Sequence, residues 1–189
     1  MGHEKGLVML AGKPLVSYVA SVLESVADEI VVAVAKDMSA QYKIVLKKGY
    51  KIVEDRRQGY GPLEGLTTAF EAARGEYALV CPCDTPFLSP QVCEMISSRA
   101  KGSDGAVPRI GGKFEPLHAT YSRESALRAF ESTIAEGKRK PIEAYEKLSL
   151  VYVEEAELRS IDPHLLSFWN LNSPKDLDLA EQKMVSSSL

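Results

Sequence analysis

The 189-residue sequence lacks several features that would assign it to a special class of protein. No apolar run is long enough to span a bilayer, and the first residues have no apolar core of a secretory signal. The net charge of -3 gives no basic excess, which argues against a nucleic-acid-binding platform. These absences predict a cytoplasmic protein with no membrane or nucleic-acid partner. They leave a nucleotide substrate open, because a metal ion neutralises phosphates locally.

Cysteine is also scarce, since Cys81, Cys83 and Cys93 are the only three. An odd number of cysteines in a chain of this size indicates reduced thiols, not a disulfide framework. A metal cluster of these thiols with the distant His118 is an alternative interpretation. The spacing of these residues fits no standard zinc pattern, so ordinary thiols are the favoured interpretation.

What the sequence does contain is a regular alternation of apolar, β-branched runs with amphipathic segments. Near-continuous apolar strands separated by helices are typical of a parallel sheet that is covered on both faces. The pattern therefore predicts an α/β domain. The predicted strands are 29–36, 50–54, 77–83, 103–108 and 148–153, and the predicted helices are 15–26, 39–48, 63–73, 90–100, 122–136 and one opening at Pro174, with Ser89 and Ser173 as N-caps.

The most informative segment is 76–87, where an apolar run ends at Asp84 and is followed by Thr85-Pro86. We expect the run to be a central parallel strand, and ligands bind at the carboxyl ends of such strands. A carboxylate in that position is suited to hold a divalent metal ion against a polyphosphate. The alternative is an aspartate that only begins a turn before Pro86.

A glycine-containing loop follows the predicted strand 50–54. Gly59 and Gly61 allow tight turns close to a flat ligand, and Pro62 suits the first position of a helix. The spacing misses the G-x-G-x-x-G pattern by one residue, which disfavours dinucleotide binding of the dehydrogenase kind. The loop is either a binding segment or a plain strand-to-helix turn.

Two later segments carry further candidate side chains. Asn170 and Asn172 alternate, so an extended backbone would turn both amides to one face, where they could reach a phosphate or metal-bound water. Otherwise they belong to the turn before the last helix. His118 ends a polar hairpin segment that could close over a substrate, although a lone histidine is more often structural.

Taken in chain order, six segments resemble the molybdenum cofactor guanylyltransferases. They are Glu4-Lys5-Gly6, Leu10-Ala11-Gly12-Lys13-Pro14-Leu15, Gly59-Tyr60-Gly61-Pro62-Leu63-Glu64-Gly65, Pro82-Cys83-Asp84-Thr85-Pro86-Phe87, Glu115-Pro116-Leu117-His118-Ala119-Thr120-Tyr121 and Asn170-Leu171-Asn172-Ser173-Pro174-Lys175-Asp176-Leu177. The resemblance implies a Rossmann-like nucleotidyltransferase fold of the nucleotide-diphospho-sugar transferase type. It further implies a single domain over residues 1–189.

The resemblance implies transfer of GMP from GTP to the terminal phosphate of molybdopterin carrying molybdenum, with release of pyrophosphate and use of Mg²⁺. By the same resemblance Lys5 contacts the GTP phosphates and Asp84 holds the metal ion. Implied partners are molybdoenzymes or other cofactor-biosynthesis proteins. The implied guanosine-binding residues are Asp55, Gly59, Gly61, Pro62 and Leu63, and those on the pterin side are His118, Asn170 and Asn172.

The chain departs from the family at its start, where an opening strand and a Leu-Ala-Gly-Gly-x-x-x-Arg loop are expected before Glu4-Lys5. Met1-Gly2 aligns with the end of that loop, so we expect a domain shortened at its N terminus that binds GTP weakly. Either translation was assigned to an internal methionine or the loop was lost and the task changed. Two other functions stay open here: a CTP- or ATP-using nucleotidyltransferase, and a non-catalytic cofactor-binding adaptor.

Overall fold

The computed structural model describes residues 4–57 and 59–186, so Met1-Gly2 of the predicted loop end lies outside the described residues. The α/β alternation is confirmed there, and most element ends shift by a few residues. The strands are β1 (Met9–Leu10), β2 (Lys13–Pro14), β3 (Val31–Val34), β4 (Lys51–Glu54), β5 (Tyr77–Val80), β6 (Gly105–Ile110), β7 (Lys113–Phe114), β8 (Ala119–Ser122) and β9 (Leu150–Glu154). The α-helices are α1 (Leu15–Leu23), α2 (Ser39–Val45), α3 (Pro62–Ala72), α4 (Pro90–Ala100), α5 (Arg123–Ala135), α6 (Glu155–Arg159) and α7 (Pro174–Ser186).

The strands form two main sheets. In the smaller one β3 pairs in parallel with β4, and in the larger one β8 lies between β5 and β6, while β9 pairs in parallel with β6. Since β8 is antiparallel to both of its neighbours, β5, β6 and β9 share one direction. These three strands keep the predicted common direction, but three of the four described pairings in this sheet are antiparallel, so the sheet is mixed. The four-residue β8 was not predicted, because it is short and begins directly after the Pro-Leu-His turn, so the sequence shows no separate strand pattern there.

The expected central position of the strand before Asp84 is wrong for the described strands. β5 pairs only with β8 among them, and that pairing is antiparallel. β3 likewise has β4 as its single strand partner in the part that the structure covers. Each of these two strands therefore keeps one edge without a strand beside it, and most of their side chains are only half-buried.

Helices cover both faces of the larger sheet. Ala106 and Val107 are adjacent on β6 and point to opposite faces, yet both are fully buried. Val107 packs in a cluster with α3 and α5, whereas Ala106 packs in a second cluster with α4 and β9. These two apolar clusters hold β5 and α4 in place, and candidate site residues follow the end of β5. Among the described residues no helix is both long and apolar enough to cross a membrane.

Both predicted helix caps are present. The Ser89 hydroxyl accepts from the Val92 amide at 3.4 Å at the start of α4. At the start of α7, Ser173 N–H donates to Asp176 Oδ2 at 2.8 Å, and Asp176 N–H donates to Ser173 Oγ at 3.2 Å. This reciprocal pair is a capping box, with an aspartate in place of the usual glutamate. It fixes the segment with Asn170 and Asn172 just ahead of α7.

Candidate functional site

Three predicted site residues from distant parts of the chain meet at the carboxyl end of β5. The Lys5 ammonium lies 3.1 Å from Asp84 Oδ2 and 2.6 Å from Asn172 Oδ1. Asp84 is only 7% exposed, whereas the Lys5 side chain is 45% exposed. We call Lys5, Asp84 and Asn172 the charged group. It places a cation at the surface directly above a nearly buried carboxylate.

Backbone contacts explain why these residues meet. The Leu171 amide donates to the Asp84 carbonyl at 2.9 Å, which ties the last segment of the chain to the end of β5. The backbone N–H of Asn172 donates to Asp176 Oδ2 at 3.0 Å, so the cap of α7 also fixes the position of Asn172. The backbone carbonyl of Asn170 accepts a hydrogen bond from the side chain of Asn172, and the side-chain amide of Asn170 donates to the Phe168 carbonyl. Asn170 therefore helps to orient Asn172 within the charged group.

The charged group has the donors that a hard divalent cation prefers. Oδ2 of Asp84 and Oδ1 of Asn172 both point at one positive centre, the Lys5 ammonium. Carboxylate and amide oxygens are typical ligands of hard divalent ions, which also retain water and substrate phosphate ligands. Asp84 and Asn172 are therefore the residues that fit such an ion.

The glycine loop adopts backbone angles that explain its composition. Gly59 has φ +87°, and Gly61 has φ +55° with ψ -141°, a combination that side chains with a Cβ rarely adopt. Pro62 is the first residue of α3, as predicted. Leu63 is fully buried in the core, so a contact of this residue with a ligand would involve its backbone.

Asp55, which lies just before that loop in the chain, has a raised pKa. Burial raises the pKa of Asp55 to about 6, with smaller contributions from the negative charges of Glu64 and Glu4. Its Oδ1 atom is buried and has no hydrogen-bond partner in the parts of the chain that the structure covers. Such an oxygen is available to accept a hydrogen bond from a ligand. Glu4 in turn accepts a bond from the Tyr42 hydroxyl at 2.9 Å.

Glu64 organises the same loop, and sequence reasoning gave it no role. It is 0% exposed, and its Oε1 accepts from the amides of Arg56 and Arg57 at 3.2 and 3.1 Å. Its Oε2 lies 2.9 Å from Nε of Arg57. The available signal was an acidic residue in the first turn after Pro62, a position from which a carboxylate reaches back to preceding amides.

His118 lies inside the protein rather than at a surface. It is 2% exposed, its ring centroid lies 4.3 Å from that of Phe168, and burial lowers its pKa to about 4, against a smaller opposite effect of Asp162. Its role on the pterin side stays a prediction, and this burial counts against a direct contact. The ligand atoms of Cys81, Cys93 and His118 all lie within 4.8 Å of one another, and we call these three the thiol–imidazole group.

Comparisons with known proteins identify the family of this chain. The family model described as MobA-like NTP transferase domain matches residues 1–148. The probable molybdenum cofactor guanylyltransferase of Pelotomaculum thermopropionicum is 33% identical over 177 residues, which cover 94% of this chain and 83% of that protein.

Solved structures give the same relationship. The molybdopterin-guanine dinucleotide biosynthesis protein A of Archaeoglobus fulgidus has a TM-score of 0.81 and 30% identity, with 100% of this chain and 93% of that chain covered. The 2-C-methyl-D-erythritol 4-phosphate cytidylyltransferase of Thermus thermophilus has a TM-score of 0.72, and 96% and 94% of the chains are covered. At 18% identity this second likeness shows the nucleotidyltransferase fold alone. The chain therefore belongs to the MobA-like NTP transferase family, among the molybdenum cofactor guanylyltransferases.

Proposed function

We propose that this protein transfers GMP from GTP to the terminal phosphate of molybdopterin carrying molybdenum. An oxygen of the pterin phosphate forms a bond to the α-phosphorus of GTP. The bond from that phosphorus to the oxygen bridging to the β-phosphate breaks, and pyrophosphate leaves with the electron pair. Besides family membership, the observation that carries the proposal is the meeting of Lys5, Asp84 and Asn172 at the carboxyl end of β5.

The main difficulty of this reaction is charge, because two phosphate anions must approach each other. A terminal phosphate has its second pKa near 6, so it is already ionised at neutral pH and needs no general base. Positioning and neutralisation of charge are then the main sources of catalysis. Lys5 is half-exposed and reaches the solvent side of the group, where its ammonium contacts the GTP phosphates.

The remaining residues take roles that match their surroundings. Asp84 and Asn172 hold a divalent ion, which we propose is Mg²⁺ and which neutralises phosphate charge when it is bound. Asp55 accepts a hydrogen bond from the guanosine through its unpartnered oxygen, and the backbone of residues 59–63 lines the base. Asn170 maintains the position of Asn172 on the pterin side.

A pyrophosphate-release assay tests the reaction. With GTP, Mg²⁺ and molybdopterin, we expect release from the wild-type protein and a large loss in the variant Asp84→Asn. Asp178→Asn is the matched control, because Asp178 is an exposed acid on α7. Release of pyrophosphate at the wild-type rate by Asp84→Asn would remove Asp84 from the proposed mechanism.

A nucleotide panel distinguishes the alternatives. In thermal-shift measurements with Mg²⁺, GTP should raise the melting temperature more than CTP or ATP, since stabilisation follows affinity. A larger shift with CTP or ATP would favour a different nucleotidyltransferase. Molybdopterin binding without any pyrophosphate release would favour an adaptor protein.

A further inference from the structure

The thiol–imidazole group lies outside the proposed catalytic machinery and has an unusual set of donors. Cys81 follows β5 directly, Cys93 lies in the first turns of α4, and His118 precedes β8. Two of the three side chains are buried and Cys81 is half-buried. Three elements that are distant in the chain thus bring two sulfur atoms and one imidazole to a single point.

The imidazole is the observation that points to a ligand. Neither Nδ1 nor Nε2 of His118 has a hydrogen-bond partner among the described residues, although the ring is almost completely buried. Buried polar atoms are nearly always paired, and an exception requires an explanation. The neighbouring acid does not provide one, since Asp162 already accepts bonds from the amides of Leu166 and Ser167 at 3.0 and 2.8 Å.

Packing alone does not explain the group either. The His118 ring contacts Phe168, and an apolar ring would make the same contact without two unpaired nitrogens. Apolar packing does not distinguish the three thiols, because Cys81 and Cys93 pack with Val19 and Leu88 just as Cys83 packs beside the cluster around Val16 and Val34. What distinguishes Cys81 and Cys93 is that their sulfur atoms lie within 4.8 Å of a ring nitrogen of His118, whereas Cys83 is not part of the group.

We propose that Cys81, Cys93 and His118 bind a thiophilic d¹⁰ metal ion, Zn²⁺ or Cu⁺. Thiolate and imidazole ligands select such ions and exclude Mg²⁺, which prefers oxygen. Binding releases the two thiol protons to solvent, and two thiolates neutralise the charge of Zn²⁺, as a buried site requires. Zinc with three protein ligands takes a fourth from outside the protein, and Cys81 is the member of the group that keeps partial exposure.

The position of the site suggests what the ion does. It would join the end of β5, the start of α4 and the entry to β8, and Cys81 is three residues from Asp84. The ion would therefore hold the segment that carries the catalytic carboxylate. This role is structural and needs no contact with GTP or molybdopterin.

Metal titration of the reduced protein tests the proposal, with Zn²⁺ in one arm and Cu⁺ under anaerobic conditions in the other. Each titration is run against a competing chelator of known affinity. We expect one ion per chain, with affinity more than 100-fold lower in Cys93→Ala and in His118→Phe. Cys83→Ala is the matched control and should keep the wild-type affinity.

Absorption spectroscopy of the metal-loaded wild-type protein gives an answer that does not depend on folded variants. We expect X-ray absorption to show two sulfur ligands and at least one nitrogen ligand. A shell of nitrogen and oxygen alone would overturn the proposal. So would the absence of binding in both arms, or an equal loss of affinity in the Cys83→Ala control.

Discussion

The charged group and the thiol–imidazole group lie at the same end of β5, yet their surroundings are opposite. In the charged group every named polar atom has a partner and the lysine reaches solvent. In the thiol–imidazole group the histidine is buried and both of its nitrogens lack partners in the described chain. Hard oxygen donors thus lie beside a half-exposed cation, while soft donors face the interior. One strand end carries two sites that would take different ions.

The largest effect should come from a change in the charged group, whose donors are oxygen atoms. Asp84→Asn keeps the shape but removes the charge that anchors a divalent ion, so we expect turnover to fall about 1,000-fold. Steady-state pyrophosphate release measures this loss, with Asp178→Asn as the control. The variant should bind Zn²⁺ or Cu⁺ as the wild type does. Altered binding of these ions would show that the two groups are not independent.

A smaller loss should follow from removing the cation of the charged group. Lys5→Ala should lower kcat/KM about 100-fold, because one of the charges that neutralise the phosphates is lost while Asp84 and Asn172 remain. Lys48→Ala is the control, since Lys48 is exposed and lies away from the group. A variant with unchanged kcat/KM would show that Lys5 only pairs with Asp84.

Glu64 adds a test of stability to the comparison, because it is buried like His118, yet its Oε1 accepts two backbone amides and its Oε2 forms an ion pair with Arg57. Glu64→Gln removes the charge while keeping the size, and we expect the free energy of unfolding to fall by about 2 kcal/mol. Chemical denaturation measures the change. Glu71→Gln breaks the more exposed pair with Arg56 and should cost under about 0.5 kcal/mol. Equal costs would show that burial of Glu64 does not matter.

Asp55 is intermediate between the two groups, since it is acidic yet has an unpartnered oxygen. Its pKa is about 6 in the folded protein and lower in the unfolded chain, so the folded state binds more protons between about pH 4 and pH 6. Stability therefore falls as pH rises through that window. Asp55→Asn should gain about 1 kcal/mol at pH 7, after allowance for partial exposure, and nothing below about pH 4.

Denaturation of the wild type and Asp55→Asn across that pH range measures the difference, and GTP affinity should fall in the same variant. Burial is the main cause of the raised pKa of Asp55, and the negative charges of Glu64 and Glu4 add to it. A gain that is independent of pH would show that the Asp55 carboxylate is not destabilised by burial.

The sequence predicted the fold class from apolar periodicity and strand ends, and the family resemblance singled out Lys5, Asp84 and Asn172 one by one, whereas their meeting is seen only in the structure. It did not predict β8 or the role of Glu64, since both depend on contacts between segments distant in the chain. The cluster of thiols with His118 was an alternative that the sequence disfavoured for the same reason: zinc patterns are recognised by spacing, and Cys81, Cys93 and His118 meet only through the fold. The weak GTP binding expected of this chain stays a prediction.

The charged group takes Lys5 from the first described turn and Asn172 from the last segment before α7. The Ala11 amide also donates to Glu181 on α7 at 2.9 Å, which links the two regions again. Local opening of either segment requires less free energy than global unfolding, and it would separate Lys5 from Asn172. Catalysis should therefore fail on gentle heating before the protein melts, and hydrogen exchange should report that loss in both segments together.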